Sequence, residues 1–172
     1  MKTLFTMCFL IFFSSTLNAL EIVEIHLLDN LDDNRGYCLD IKGFKSKAKI
    51  EKGLQAHTCY SYQGMVSIDQ GFDKNKLIDS IFYIPGFLAC METEQDVKTS
   101  IKLKKCEDEK KTHFVFNNKG QIMVAHNKLL CLTVSNRSPR KGQGGNPLHL
   151  MRDISLKKCE DIKSNFQLWG FR

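Results

Sequence analysis

No part of this 172-residue chain sustains a helical hydrophobic period beyond a couple of turns, so long helices are not expected. No apolar run reaches the roughly 20 residues that a membrane-spanning helix needs. Cysteines never stand at CxxC spacing and histidines never at HxxxH, which removes the familiar zinc arrangements. The five histidines, His26, His57, His113, His126 and His149, are scattered. No G-x-S-x-G, H-E-x-x-H or P-loop sequence occurs. Paired acids such as Glu107-Asp108-Glu109 follow repeat cysteines directly, where a solvated turn explains them. Catalysis, a metal centre and a bound cofactor are therefore not expected. Neither charge sign dominates: 25 basic and 19 acidic side chains leave +6, too mild a surplus for a nucleic-acid surface on an exported chain.

What is present begins with a leader. Lys2 precedes the apolar run Leu4 to Phe13, and Ser14-Ser15-Thr16-Leu17-Asn18-Ala19 follows, which is the layout of a secretory signal peptide. Cleavage is expected after Ala19, with an uncleaved anchor as the alternative, and Cys8 leaves with the leader. The mature chain of about 153 residues suits a single domain over 20–172, secreted or periplasmic. Losing Lys2 lowers the net charge to +5. The excess gathers at Lys102, Lys104 and Lys105, at Lys110 and Lys111, at Arg137, Arg140 and Lys141, and at Lys157 and Lys158. Such a surface suits an anionic glycan or headgroup, or is simply a solvated basic face.

The six remaining cysteines fall into three diverged copies of one unit, over about 22–76, 77–121 and 122–172. Cys38-Leu39-Asp40-Ile41 leads to Cys59, Cys90-Met91-Glu92 to Cys106, and Cys131-Leu132-Thr133 to Cys159. Gln70-Gly71-Phe72, Phe114-Val115-Phe116 and Gln167-Leu168-Trp169 close the copies. Six cysteines in an exported chain allow 15 disulfide pairings. If the copies share a fold, each closes its own loop: Cys38 with Cys59, Cys90 with Cys106, Cys131 with Cys159.

Short apolar runs recur between polar turns: Ile22 to Leu28, Met65 to Ile68, Ser80 to Ile84, Thr112 to Phe116, Gln121 to Ala125, Leu129 to Val134 and Leu148 to Met151. That spacing predicts an all-β sandwich or barrel. Asn117-Asn118-Lys119-Gly120 predicts a hairpin turn, and Arg137 to Pro147 a flexible loop. A four-strand unit cannot bury its apolar face alone. Three units sharing a core around one axis give a β-trefoil with pseudo-threefold symmetry, and a β-sandwich is the alternative.

The Cys-Leu-Asp segment, the second cysteine and the closing Gln-x-Trp together resemble the ricin B-type lectins, over essentially the whole mature chain. The resemblance implies a β-trefoil in which the Gln-x-Trp residues hold the core. It also implies sugar pockets of up to one per copy, built on the aspartate of the Cys-x-Asp segment. On the first copy the family's ligand positions become Asp40, Gln55, His57, Asp69 and Gln70. Two aspartates can accept from paired hydroxyls, Gln55 can donate and accept, and His57 can stack under a pyranose. Asp69 replaces an asparagine, His57 a larger aromatic, and three extra residues within Ser61 to Ser67 border the pocket. The second copy offers Glu92, Lys102, Lys104, His113 and Phe114, and the third Thr133, Ser155, Lys157, Phe166 and Gln167. Both look like scaffold. The expectation is an exported glycan-binding protein with one site in the first copy and no stable membrane insertion. The alternative is an interaction protein of the same fold whose sugar sites have decayed, with a protein as its partner.

Overall fold

The computed structural model describes residues 19–93, 101–106, 112–160 and 164–172. The leader up to Asn18, the Glu107-Asp108-Glu109 run and Lys110-Lys111 lie outside the described residues. The fold is all-β. Its strands are β1 (Ile22–Leu27), β2 (Tyr37–Ile41), β3 (Leu54–Thr58), β4 (Gly71–Asp73), β5 (Tyr83–Ile84), β6 (Ala89–Thr93) and β7 (Ile101–Lys105). They continue with β8 (Phe114–Phe116), β9 (Ile122–Val124), β10 (Asn127–Val134), β11 (Arg140–Lys141), β12 (Leu150–Arg152), β13 (Ile154–Lys158) and β14 (Trp169–Phe171). Among the described residues one α-helix, α1 (Lys74–Ile78), interrupts them. It is nucleated by Asp73, whose carboxylate accepts the Asn75 and Lys76 amides at 2.9 and 3.3 Å.

Turn chemistry keeps the strands short. In the expected hairpin, Asn117 Oδ1 accepts from the Lys119 and Gln121 amides at 3.0 and 2.9 Å. Gly120 takes φ +87°, and a Cβ there would meet the Trp169 carbonyl oxygen at 3.0 Å. The result is the β8–β9 pair, with Phe114 opposite Val124 and Phe116 opposite Ile122.

The three hairpins that carry the cysteines are built alike. Cys38 stands opposite His57, Cys90 opposite Lys104 and Cys131 opposite Lys157. Each second cysteine donates its amide two residues before the first: Cys59 to Gly36, Cys106 to Leu88 and Cys159 to Leu129, at 3.1, 3.1 and 2.9 Å. Disulfides join Cys38 to Cys59, Cys90 to Cys106 and Cys131 to Cys159, across separations of 21, 16 and 28 residues. The expected pairing within each copy is what forms. Loops of this length suggest about 3 kcal/mol of stabilisation apiece, and the set suits an oxidising, extracellular or periplasmic environment.

Strand β1 ties the chain together by pairing with β2, β4 and the terminal β14. Behind these pairs lies one core that includes Ile25, Leu27, Leu39, Phe72, Ile84, Met91, Phe114, Ile122, Leu132 and Trp169. Trp169 Nε1 donates to the Leu132 carbonyl at 3.1 Å, so the indole is buried with its polar atom satisfied. Phe72 is fully buried as expected of its closing motif. In the second copy Phe114 takes the interior place, while Phe116 is half-buried, stacked on Phe82 and edge-on to Phe171.

Two segments differ from expectation. Met65 to Ile68 forms no strand: Ser61–Gln63 makes a 3-10 turn ended by Gly64 at φ +97°, and Met65 is 78% exposed. The apolar character of this stretch serves a surface instead. Arg137 to Pro147 is not a free loop, because its chain enters β11 and returns as β12, which pairs with β3 at Met151↔His57 and Arg152↔Ala56. Arg152 holds this hairpin down, donating to Asp32 at 2.8 Å, to Ser135 O at 3.1 Å and to Arg137 O. Its guanidinium also lies over the Tyr37 ring.

Candidate functional site

The five residues singled out on the first copy meet in one cluster, and they meet inside the protein. Register places Asp40 opposite Gln55 across β2 and β3, so both side chains stand on the same face. Gln55 Nε2 donates to Asp40 Oδ1 at 2.9 Å and Gln70 Nε2 to Asp40 Oδ2 at 3.0 Å. Gln70 Oε1 accepts the Tyr60 amide at 3.0 Å, and its Nε2 lies 3.3 Å from the Thr58 carbonyl. Asp69 accepts from the Ser67 hydroxyl at 2.6 Å through Oδ1. Its Oδ2 is buried and has no hydrogen-bond partner among the described residues. Asp40 is 1% exposed and Gln70 fully enclosed, with Gln55, His57 and Asp69 also buried.

Burial, then the nearby Asp69 carboxylate, pushes the Asp40 carboxyl well above the usual carboxylate range, against the two glutamine amides that favour its charged form. His57 Nδ1 lies 2.8 Å from the Thr58 carbonyl; a carbonyl only accepts, so this nitrogen carries the proton. Burial holds the His57 pKa below its ordinary value.

The resemblance led to a shallow pocket with His57 as its stacking surface. Here that ring is covered instead. Tyr60 lies on one side with centroids 5.1 Å apart and planes 19° apart, and His149 packs at 5.1 Å and 30°. Tyr60 and His149 also meet each other at 5.1 Å. Burial, with the Asp40 and Asp69 charges adding to it, pushes the Tyr60 phenol up to about 12. Neither Tyr60 nor His149 was singled out from the sequence. Tyr60 directly follows a repeat cysteine and was within reach of the pattern. His149 arrives from the third copy, 91 positions from the Thr58 hydroxyl it bonds at 3.0 Å, and no local signal announces it.

The third copy supplies an internal comparison. Thr133 stands opposite Ser155, as Asp40 does opposite Gln55. Gln167 Nε2 donates to Thr133 Oγ1 at 2.9 Å and to the Lys158 carbonyl at 3.0 Å, and its Oε1 accepts the Glu160 amide at 2.7 Å. These are the bonds of Gln70, atom for atom, with a hydroxyl in place of the carboxylate. The backbone agrees, since Ile41 N donates to Asp69 O at 3.0 Å and Val134 N to Phe166 O at 2.9 Å. The clamp that joins the closing motif to its hairpin therefore needs no charge. In the second copy Phe114 fills the glutamine's place, and Glu92 instead lies 3.7 Å from Lys104.

The extra residues beside this cluster shape the surface. Met65, Val66 and Ile68 border a cleft of about 880 Å³ with Ile22, Tyr60 and Pro85. The segment is pinned below by Glu24, which accepts the Ser61 amide at 3.0 Å. No family model matches the chain, and no curated protein matches it.

Proposed function

We propose that the protein is an exported β-trefoil that binds carbohydrate through its first copy. The β-trefoil assignment is supported by the shared register of the three cysteine hairpins, by the matching glutamine clamps of copies one and three, and by the pairing of β1 with β14. The binding site is the cluster of Asp40, Gln55, His57, Asp69 and Gln70.

One observation carries the function. The third copy makes the clamp with Thr133, and has Phe166 where the first copy has Asp69, so two buried carboxylates are surplus to the fold. Burying an incompletely paired charge costs several kcal/mol, and the open Asp69 Oδ2 adds to it. Paired carboxylates flanked by an amide suit a polyhydroxylated ligand, whose hydroxyls donate to them and displace their mutual repulsion. Both Asp40 oxygens hold one bond each and each keeps a second lone pair for such a donor.

A glycan array probed at pH 7.5 and at pH 5.0 with the wild type and with Asp69→Asn tests the assignment. Wild-type capture of a defined glycan class, reduced at least tenfold in the variant, is the expected result. Capture unchanged in Asp69→Asn would remove this pocket. No capture by either protein would leave the fold serving a protein partner.

A further inference from the structure

Hairpin β11–β12 belongs to the third copy's loop, yet it completes the surface of the first. Its strand β12 adds to the edge of β3 with Met151 opposite His57. Its His149 ring packs on both His57 and Tyr60 and bonds the Thr58 hydroxyl. The stretch before it, 142–148, is held by Arg35, whose Nη1 and Nη2 donate to the carbonyls of Pro147 and Leu148 at 3.0 and 2.7 Å. With this hairpin seated, the His57 ring is buried, and Asp40 behind it is 1% exposed. We infer that the β11–β12 hairpin is a gate on the first-copy site, latched by the His149 ring on His57 and released by acid. This rests on the carbohydrate reading, since it is that site which the gate would cover.

The latch is electrostatically unusual. Two imidazoles face each other at 5.1 Å, and the other charges around them are unevenly placed. From the β1–β2 loop His149 meets Arg35, which opposes its protonation, and Asp33, which favours it; from the turn after β2, Lys45 opposes it. His57 meets Asp69, which favours its charge, and His149 and Arg35, which oppose it, with Asp40 bonded through Gln70 close by. Asp33 is already committed to Arg35 at 2.7 Å. Burial first, then these cations, lowers the pKa of both rings. Both rings therefore stay neutral and stacked near pH 7. Protonating both places two like charges on rings whose centroids are 5.1 Å apart, beside Arg35 and Lys45. Lifting the 142–149 stretch relieves this repulsion, while Arg152 keeps the base of the hairpin attached.

Amide hydrogen exchange read by mass spectrometry at pH 7.5 and pH 5.0, corrected for the intrinsic pH dependence of exchange, tests the gate. In the wild type, peptides over 144–152 should exchange about tenfold faster at pH 5.0, a difference of about 1.4 kcal/mol in opening. Peptides over β10 should not change. His149→Phe keeps a ring on His57 but cannot titrate, so its 144–152 exchange should be equal at both pH values. No excess exchange in the wild type, or the same excess in His149→Phe, overturns the gate. A glycan array run at both pH values keeps the two proposals apart. Acid-accelerated exchange with no glycan captured leaves the gate standing and defeats the carbohydrate reading. Equal glycan capture at both pH values with a closed hairpin does the reverse.

Discussion

Trp169→Ala should lower the free energy of unfolding by about 3–5 kcal/mol, the range for deleting a large aromatic from a core. The indole is 1% exposed, its Nε1 is bonded to the Leu132 carbonyl, and its backbone amide donates to Gly120 O at 2.7 Å. It stands on β14 opposite Leu27, where β14 is stitched to β1. The cavity would therefore open where β1, β10 and β14 meet. Urea denaturation followed by circular dichroism measures the loss; fluorescence cannot, because this is the chain's single tryptophan. A loss below about 1 kcal/mol would mean that the closing motif does not hold the core.

Gln70→Leu and Gln167→Leu should each cost about 2–4 kcal/mol, because each leucine strands a backbone amide and a side-chain acceptor in the interior. The two costs should differ in a telling way. Gln70 serves a carboxylate oxygen at 3.0 Å, and Gln167 a hydroxyl at 2.9 Å. Hydrogen bonds to charged groups are the stronger kind, so Gln70→Leu should be the more damaging near neutral pH. The gap should narrow in acid, once Asp40 is protonated and can tolerate the loss. Equal losses at every pH would mean that Asp40 carries no charge in the folded protein. Parallel urea titrations of the two variants at pH 7.5 and pH 4 distinguish these cases.

The framework was largely legible in the chain. Three cysteine pairs fixed where each copy begins and which cysteines join, and Asn117 to Gly120 announced its own turn. Gln70 and Gln167 could be matched because they sit in the same short closing pattern. What escaped depended on contacts between distant segments. The glycine- and proline-bearing stretch from Arg137 to Pro147 has the composition of a loop, and β11 is only two residues long, too short to show alternation. Its order comes from Arg152 and Arg35 reaching Asp32, Pro147 and Leu148 across more than 100 residues. Met65 to Ile68 departs from expectation for a related reason: apolar residues that line a surface cleft look, in sequence, like half of a buried strand. The candidate site shows both limits. Its five polar members came from the lectin resemblance carried onto one copy, but the cover over His57 comes from Tyr60 and from His149, which is contributed by the third copy.

Acid should move stability in two opposing directions. His57 and His149 have pKa values lowered by folding, so their contribution is present above the ordinary histidine value of about 6.5 and is lost as pH falls through the lowered folded values. Asp40 has a pKa raised by folding. Its contribution is complete below the ordinary carboxylate value of about 4 and is lost as pH rises through the raised one. Near neutrality the protein therefore keeps its histidine latch and bears the cost of Asp40.

That cost is the heart of the account, and Asp40→Asn measures it. Asparagine keeps an acceptor for Gln70, Gln55 can turn its amide over to meet the new donor, and the repulsion with Asp69 disappears. Urea denaturation at pH 7.5 should show the variant more stable than the wild type by about 1–2 kcal/mol, as expected when a strained functional charge is neutralised. The advantage should vanish in acid, and glycan capture should be lost at the same time. An Asp40→Asn protein that is less stable at pH 7.5 and captures glycan as well as the wild type would contradict the account, making Asp40 part of the scaffold.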